Sequence, residues 1–164
     1  MQVKGVAHVY GDDIDTDRII PGKYTKTLNL QDMAAHVLED LDPEFRSRVK
    51  EGDILVGGNN FGCGSSREQA PLALKAAGVS VVIAKSFARI FYRNAINIGL
   101  PLIEIPDHYI QNQEEITVEL ETGRVNNLTA HNDYYGAKMP EVMIQILKSG
   151  GLAAYLKENK NYTL

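Results

Sequence analysis

The sequence predicts an α/β fold, and three observations carry that expectation. Short apolar runs of strand length, "DILVG", "VSVVIA" and "LIEI", recur in the middle of the chain. Longer segments with helical periodicity separate them, and glycine or proline marks most of the junctions. Strands interleaved with helices in this way form a sheet covered by helices. At 164 residues, with no internal repeat and no long linker, residues 1–164 are expected to form a single domain with a real core.

Residues 2–10 alternate as a strand, with Val3, Val6 and Val9 available for packing. Residues 11–28 are a polar connection broken by Pro21 and Gly22. "NLQDMAAHVLEDL" reads as a helix capped by Asn29, and "PEFRSRV" as a second, short one. After the strand "DILVG", a helix is expected to start after Ser65 or Ser66, packing through Ala70, Ala73, Leu74 and Ala77 until Gly78 stops it. "VSVVIA" is the clearest buried strand. "SFARIFYRNAINIG" is a helix capped by Ser86, with Phe87, Ile90, Phe91, Ala95 and Ile98 on its packing face. "EITVEL" and "GRVNNLT" fit a hairpin. Pro140 opens a helix packing through Val142, Met143, Ile146 and Leu147, and Gly150 and Gly151 separate it from "LAAYLKEN".

Composition narrows the function classes. The chain is 44% hydrophobic and 23% charged, a globular balance, and its formal net charge of -4 argues against a general nucleic-acid binder. The lone Cys63 rules out an intramolecular disulfide and an all-cysteine metal or iron–sulfur site built from this chain. No apolar run approaches membrane-spanning length, and a cytoplasmic protein is the expectation.

The chemistry-bearing stretch is "NNFGCGSSREQA", residues 59–70. It is not a Walker phosphate loop, because no lysine precedes its serines. It is not a dinucleotide GxGxxG, because Arg67 stands where the third glycine belongs, and no downstream glycine completes a hydrolase elbow. Nor is "DDIDTD" a calcium loop: a register starting at Asp13 puts Arg18 at the turn glycine and Tyr24 at the closing glutamate. What remains is a glycine-rich helix start that leaves amides free for an anion, two short hydroxyls, and a guanidinium suited to a carboxylate. A bland alternative stands beside it: Ser66 caps the helix with Gln69 in the capping-box position, Arg67 faces water, and Cys63 is a small buried hydrophobe. The segment "YGDDIDTDRIIPGKYTK" favours the functional reading. Asp17 and Arg18 there adjoin an apolar pair and a Pro-Gly turn, and Lys23 and Lys26 are available to an anionic ligand.

Three ordered stretches, "GDDIDTDRIIPGKY", "GGNNFGCGSSREQAPLALKAAG" and "AKSFARIFYRNAINIGLPLIE", span residues 10–105 with short gaps. Together they resemble the small subunit of 3-isopropylmalate dehydratase, in the aconitase superfamily. The resemblance implies a single swivelling β/β/α domain like the mobile C-terminal domain of aconitase. It also implies a hydro-lyase subunit active only with a large subunit that carries a [4Fe–4S] cluster, in a heterodimer or heterotetramer. By the same resemblance, Ser65 is the base and Asp17 the acidic residue at the edge of the active site. Ser66, Arg67 and Lys26 bind the substrate, and no metal is held by this chain. The reaction implied is interconversion of 2- and 3-isopropylmalate in leucine biosynthesis; homoaconitase and dimethylmalate dehydratase are the neighbouring alternatives, and a non-enzymatic anion-binding domain is the alternative of another class. Gln69 departs from the histidine of many relatives.

Overall fold

The computed structural model describes residues 1–27 and 29–159. Leu28, at the end of the expected polar connection, and residues 160–164 of the expected domain lie outside the described residues. Seven strands run along the chain: β1 Gln2–Val9, β2 Ile54–Val56, β3 Val81–Ala84, β4 Leu102–Glu104, β5 Glu115–Glu119, β6 Arg124–Asn127 and β7 Asn132–Tyr135. They form one sheet in the order β4-β3-β2-β1-β5-β6-β7. The half from β4 to β1 is parallel, and the half from β1 to β7 is antiparallel. β1 joins the two halves: Gln2 to Val6 pair with β5, and Ala7 to Val9 pair with β2.

The helices are α1 Thr16–Ile19, α2 Leu30–Ala35, α3 Phe45–Arg48, α4 Gln69–Ala76, α5 Arg89–Asn97, α6 Glu141–Lys148 and α7 Leu152–Asn159. Strands β2 and β3 are buried at every residue, as in a parallel sheet covered on both faces. Their side chains divide by parity. Leu55 and Val82 join Met33, Ala34, Ala73, Leu74 and Phe91 in one core. Ile54, Val56, Val81 and Ile83 join Ile116, Val118, Ile144 and Leu147 in the other. Between them, these cores fix the carboxyl ends of β1 and β2, from which the two polar segments emerge.

A buried polar knot reinforces that junction. His8 Nε2 lies 2.8 Å from Asp53 Oδ2, and Asp53 also accepts from the amides of Val6 and Lys50. Burial opposes the charge on Asp53, but the hydrogen bonds from His8, Lys50 and Val6 outweigh it and hold the carboxyl below its ordinary range.

Several elements differ from expectation for local reasons. The helix over 29–41 ends at Ala35, although Asn29 caps it as expected, accepting from the amides of Gln31 and Asp32. Leu38 has a φ of 56° and donates its amide to Ile19 O, which carries the chain inward instead. Ser86 does not cap α5; its Oγ accepts from the Asn60 amide, and the helix starts at Arg89. Ile96 is buried in place of Ile90, which is 51% exposed. Likewise Ile144 is buried on α6, whereas Val142 and Met143 are only half-buried. The hairpin of β5 and β6 forms, and the polar β7 extends it.

Candidate active site

Two loops distant in sequence run side by side at the carboxyl end of the parallel strands. Their backbones interlock: Gly58 N donates to Gly11 O, Asp13 N to Asn59 O, Gly62 N to Ile14 O and Thr16 N to Cys63 O, at 2.8–2.9 Å. Side chains add Asn59 N to Asp12 Oδ1 at 2.6 Å and Asn60 Nδ2 to Asp13 Oδ1 at 3.1 Å. Asp13 and Asn60 both take left-handed backbone angles, which Asp and Asn tolerate better than most residues. Gly62 has no such alternative. Its φ is +84°, and a Cβ there would stand 2.2 Å from the Phe91 ring.

This interlock delivers Ser65, Ser66 and Arg67 to an open edge. Helix α4 begins at Gln69, later than the expected start just after the serines, and no side chain caps it. Ser66 and Gln69 therefore form no capping box. Among the described residues, the amides of Gly64, Ser65 and Ser66 donate to no protein acceptor, and all three residues are exposed. The Ser65 hydroxyl lies 3.2 Å from Thr16 Oγ1. Thr16 is itself buried, the first residue of a one-turn helix that Asp15 caps by accepting from Arg18 N.

Arg67 is half-buried and held from two sides. Its Nη1 lies 2.5 Å from Asp17 Oδ1, and its amide donates to Ser65 O. Nη1 is buried and, close as the carboxylate is, makes no well-directed hydrogen bond to it. Gly22 floors the guanidinium: a Cβ on Gly22 would lie 3.1 Å from Nη1 and 3.2 Å from Nη2. Thus Asp17, Ser65, Ser66 and Arg67 come together. Lys26 joins them by no hydrogen bond or ion pair and stands exposed in the turn after Tyr24. Thr16 and Gly22 are site residues that pattern reading overlooked. The signal for each was position alone, Thr16 between Asp15 and Asp17, and Gly22 after Pro21.

Cys63 is a poor nucleophile here. Burial, and then the charges of Asp15 and Asp13, push its thiol up. A [4Fe–4S] cluster requires several thiolates, and a single cysteine with a raised pKa does not fit as its ligand set. What the edge presents instead is a guanidinium, two hydroxyls and three free amides, a donor set for carboxylate oxygens.

The Aconitase C-terminal domain family matches residues 22–108. A 3-isopropylmalate dehydratase small subunit of Caldicellulosiruptor saccharolyticus is 55% identical over 159 residues, covering 96% of this chain and 92% of that one. An isopropylmalate/citramalate isomerase small subunit of Methanocaldococcus jannaschii is 52% identical, covering 95% and 94%. The crystal structure of a 3-isopropylmalate dehydratase from Methanocaldococcus jannaschii superposes with a TM-score of 0.93 at 45% identity, covering 98% of this chain and 96% of that one. The chain belongs to the Aconitase C-terminal domain family and, within it, to the family of 3-isopropylmalate dehydratase small subunits.

Proposed function

We propose that this chain supplies the substrate-gripping half of a 3-isopropylmalate dehydratase, a hydro-lyase that interconverts 2- and 3-isopropylmalate through 2-isopropylmaleate in leucine biosynthesis. The observation that carries the proposal is the open edge, where, among the described residues, the amides of Gly64, Ser65 and Ser66 meet no protein acceptor and stand beside the exposed Ser65 hydroxyl and the Arg67 fork that Asp17 holds. In this account Arg67 and Ser66 bind a substrate carboxylate, with Asp17 and Gly22 holding the fork in place. Ser65 Oγ takes the proton from the carbon next to that carboxylate. A serine does this only as an alkoxide. The donors beside it, Thr16 Oγ1, the free amides and the Arg67 charge, lower its pKa once water is excluded. Readdition of the proton to the unsaturated intermediate uses the same residue in reverse.

Removal of the hydroxyl is assigned to a large subunit bearing the [4Fe–4S] cluster, in a heterodimer or heterotetramer. Residues 1–164 act there as one swivelling domain that closes the open edge against the partner. The compartment is the cytoplasm; among the described residues no helix is long and apolar enough to cross a membrane. A second reading, in which the substrate tail carries a further carboxylate as in homoaconitase, is favoured by the free, exposed ammonium of Lys26.

The test is anaerobic reconstitution with the cognate cluster-bearing subunit, following the absorbance of the unsaturated intermediate. Turnover of 2-isopropylmalate only in the combined sample is the expected result, with homoaconitate, citramalate and dimethylmalate run alongside to fix the tail. A stable, cluster-loaded complex that turns over none of these hydroxyacids would overturn the proposal in favour of a non-enzymatic anion-binding domain.

A further inference from the structure

The segment that follows the Pro21-Gly22 turn is thinly held. Tyr24 N donates to Pro21 O, Thr25 N and Thr25 Oγ1 donate to Gly22 O, and Asn29 N donates to Thr27 Oγ1. All of these bonds are local. Among the described residues, no hydrogen bond ties residues 22–27 to another helix or strand. Tyr24 packs against the first core and hydrogen-bonds to Glu39, and two further side-chain contacts reach outward. One is Gly22 beneath the guanidinium of Arg67. The other is the Tyr24 ring, stacked flat on His36 with centroids 3.7 Å apart and an interplanar angle of 0°.

His36 gives that stack a rigid base. It closes α2, whose Met33 and Ala34 are buried in the core with Val37 and Leu38 just beyond. Its Nδ1 lies 3.2 Å from Glu39 Oε1, which fixes the ring about its free torsion. Glu39 is held below the ordinary carboxylate range by His36 first and then by a hydrogen bond from Tyr24, so one carboxylate grips both rings. Lys23 Nζ stands 5.1 Å from the centroid of the Tyr24 ring. The Arg67 guanidinium at one end and the imidazole of His36 at the other therefore suspend a short loop, with Lys26 just beyond the second attachment.

We propose that His36, with Glu39, is a positioning residue: it clamps Tyr24, and through it the loop 22–27, and so sets which substrate tail the site accepts. The inference rests on the function proposed above, but the clamp itself has a readout independent of that function. Neither His36 nor Glu39 touches Ser65, Ser66 or Arg67 by any hydrogen bond or ion pair, so their influence on the site passes through the loop.

Three variants separate the possibilities: His36→Ala removes the clamp, His36→Phe keeps a flat ring without Nδ1, and Glu39→Gln weakens the grip on both rings. The first readout is amide hydrogen exchange of the full chain alone. His36→Ala is expected to speed exchange at the hydrogen-bonded amides of Tyr24 and Thr25 about tenfold, while β1 to β4 stay as protected as in the parent chain. His36→Phe is expected to restore most of the protection, and Glu39→Gln to fall between. Unchanged exchange in His36→Ala, or a loss of protection spread over the whole chain, would overturn the clamp. The second readout uses the complex with the cognate large subunit. The ratio of kcat/KM for 2-isopropylmalate to that for homoaconitate is expected to shift about tenfold in His36→Ala, mostly through KM, with recovery in His36→Phe. Faster loop exchange with an unmoved ratio would overturn the role in substrate choice. A parent complex inactive on every hydroxyacid would overturn the enzymatic reading and leave the clamp standing on its exchange data.

Discussion

Gly22→Ala isolates the placement of Arg67 from the stability of the fold. Gly22 lies outside the left-handed region, so alanine fits its backbone. By restricting the unfolded chain, the change is expected to stabilise the protein by about 0.4–1 kcal/mol. For a domain of this size that is a rise in Tm of about 1–4 °C. The new methyl, however, would sit 3.1 Å from Arg67 Nη1, 3.2 Å from Nη2 and 3.5 Å from Cζ. The guanidinium is the flexible end of a long side chain, so it withdraws by a few tenths of an ångström. Because a misplacement of about 1 Å can cost about 100-fold in rate, a shift of this size is expected to lower kcat/KM about three- to tenfold. The assay is kcat/KM for 2-isopropylmalate in the reconstituted complex, beside a thermal melt of the chain alone. Activity within twofold of the parent at an equal or higher Tm would refute Gly22 as the floor of the carboxylate-binding fork. A Tm lowered by many degrees would refute the local packing described for it.

Three further outcomes follow from the same geometry. Arg67→Lys keeps the charge but loses the planar fork, so kcat/KM is expected to fall about 10- to 100-fold, the loss of one charge-assisted hydrogen bond, in an assembled complex. Turnover at the parent rate would remove the bidentate role. Gly62→Ala forces a left-handed angle and a methyl against Phe91, and is expected to destabilise the chain by about 2–4 kcal/mol in chemical denaturation. Asp53→Ala strips the acceptor from His8 and from the amides of Val6 and Lys50, and is expected to cost about 3 kcal/mol at neutral pH, roughly 1 kcal/mol for each bond. Because the carboxyl of Asp53 is depressed in the folded state, its contribution is complete above the ordinary carboxylate pKa and is lost as pH falls through the lowered one. Denaturation midpoints measured down through the acid range should therefore show a steeper fall in the parent chain than in Asp53→Ala.

Much of the sheet was legible because β2 and β3 are apolar at every position and β4 at its first two. β2, β3 and β4 fall where "DILVG", "VSVVIA" and "LIEI" stand, and the α/β class follows from the segments between them. Strand order was not legible, since nothing local says that β1 pairs with β5 through one half and with β2 through the other. α1 was hidden in a polar run because its single turn leans on the Asp15 cap, on the pairing of Thr16 N with Cys63 O across the loops and on burial of Ile19 and Ile20. The stop at Ala35 was equally silent, since a leucine with a positive φ carries no signal in its own identity. β7 escaped because "NDYY" is polar and mostly exposed, and its register comes from β6.

At the candidate site, the residue types were legible and their relations were not. Ser65, Ser66, Arg67 and Asp17 are named by motif, yet the pairing of Asp17 with Arg67 and of Thr16 with Ser65 needs the interlocked loops. The most informative departure is the start of α4 at Gln69. The amides of Gly64, Ser65 and Ser66 therefore stand open in the loop ahead of the helix, rather than as unpaired donors at its start.

The measurement that bears most directly on the central claim is single-turnover dehydration of 2-isopropylmalate by the assembled complex carrying Ser65→Ala. Ser65 is exposed and its one side-chain bond is to Thr16, so folding and assembly should match the parent. The expected result is an appearance of the unsaturated intermediate slowed about 100- to 10,000-fold with substrate still bound, the scale on which loss of a positioned base acts. Dehydration within tenfold of the parent rate, in a complex of equal cluster content, would contradict it and move the base elsewhere.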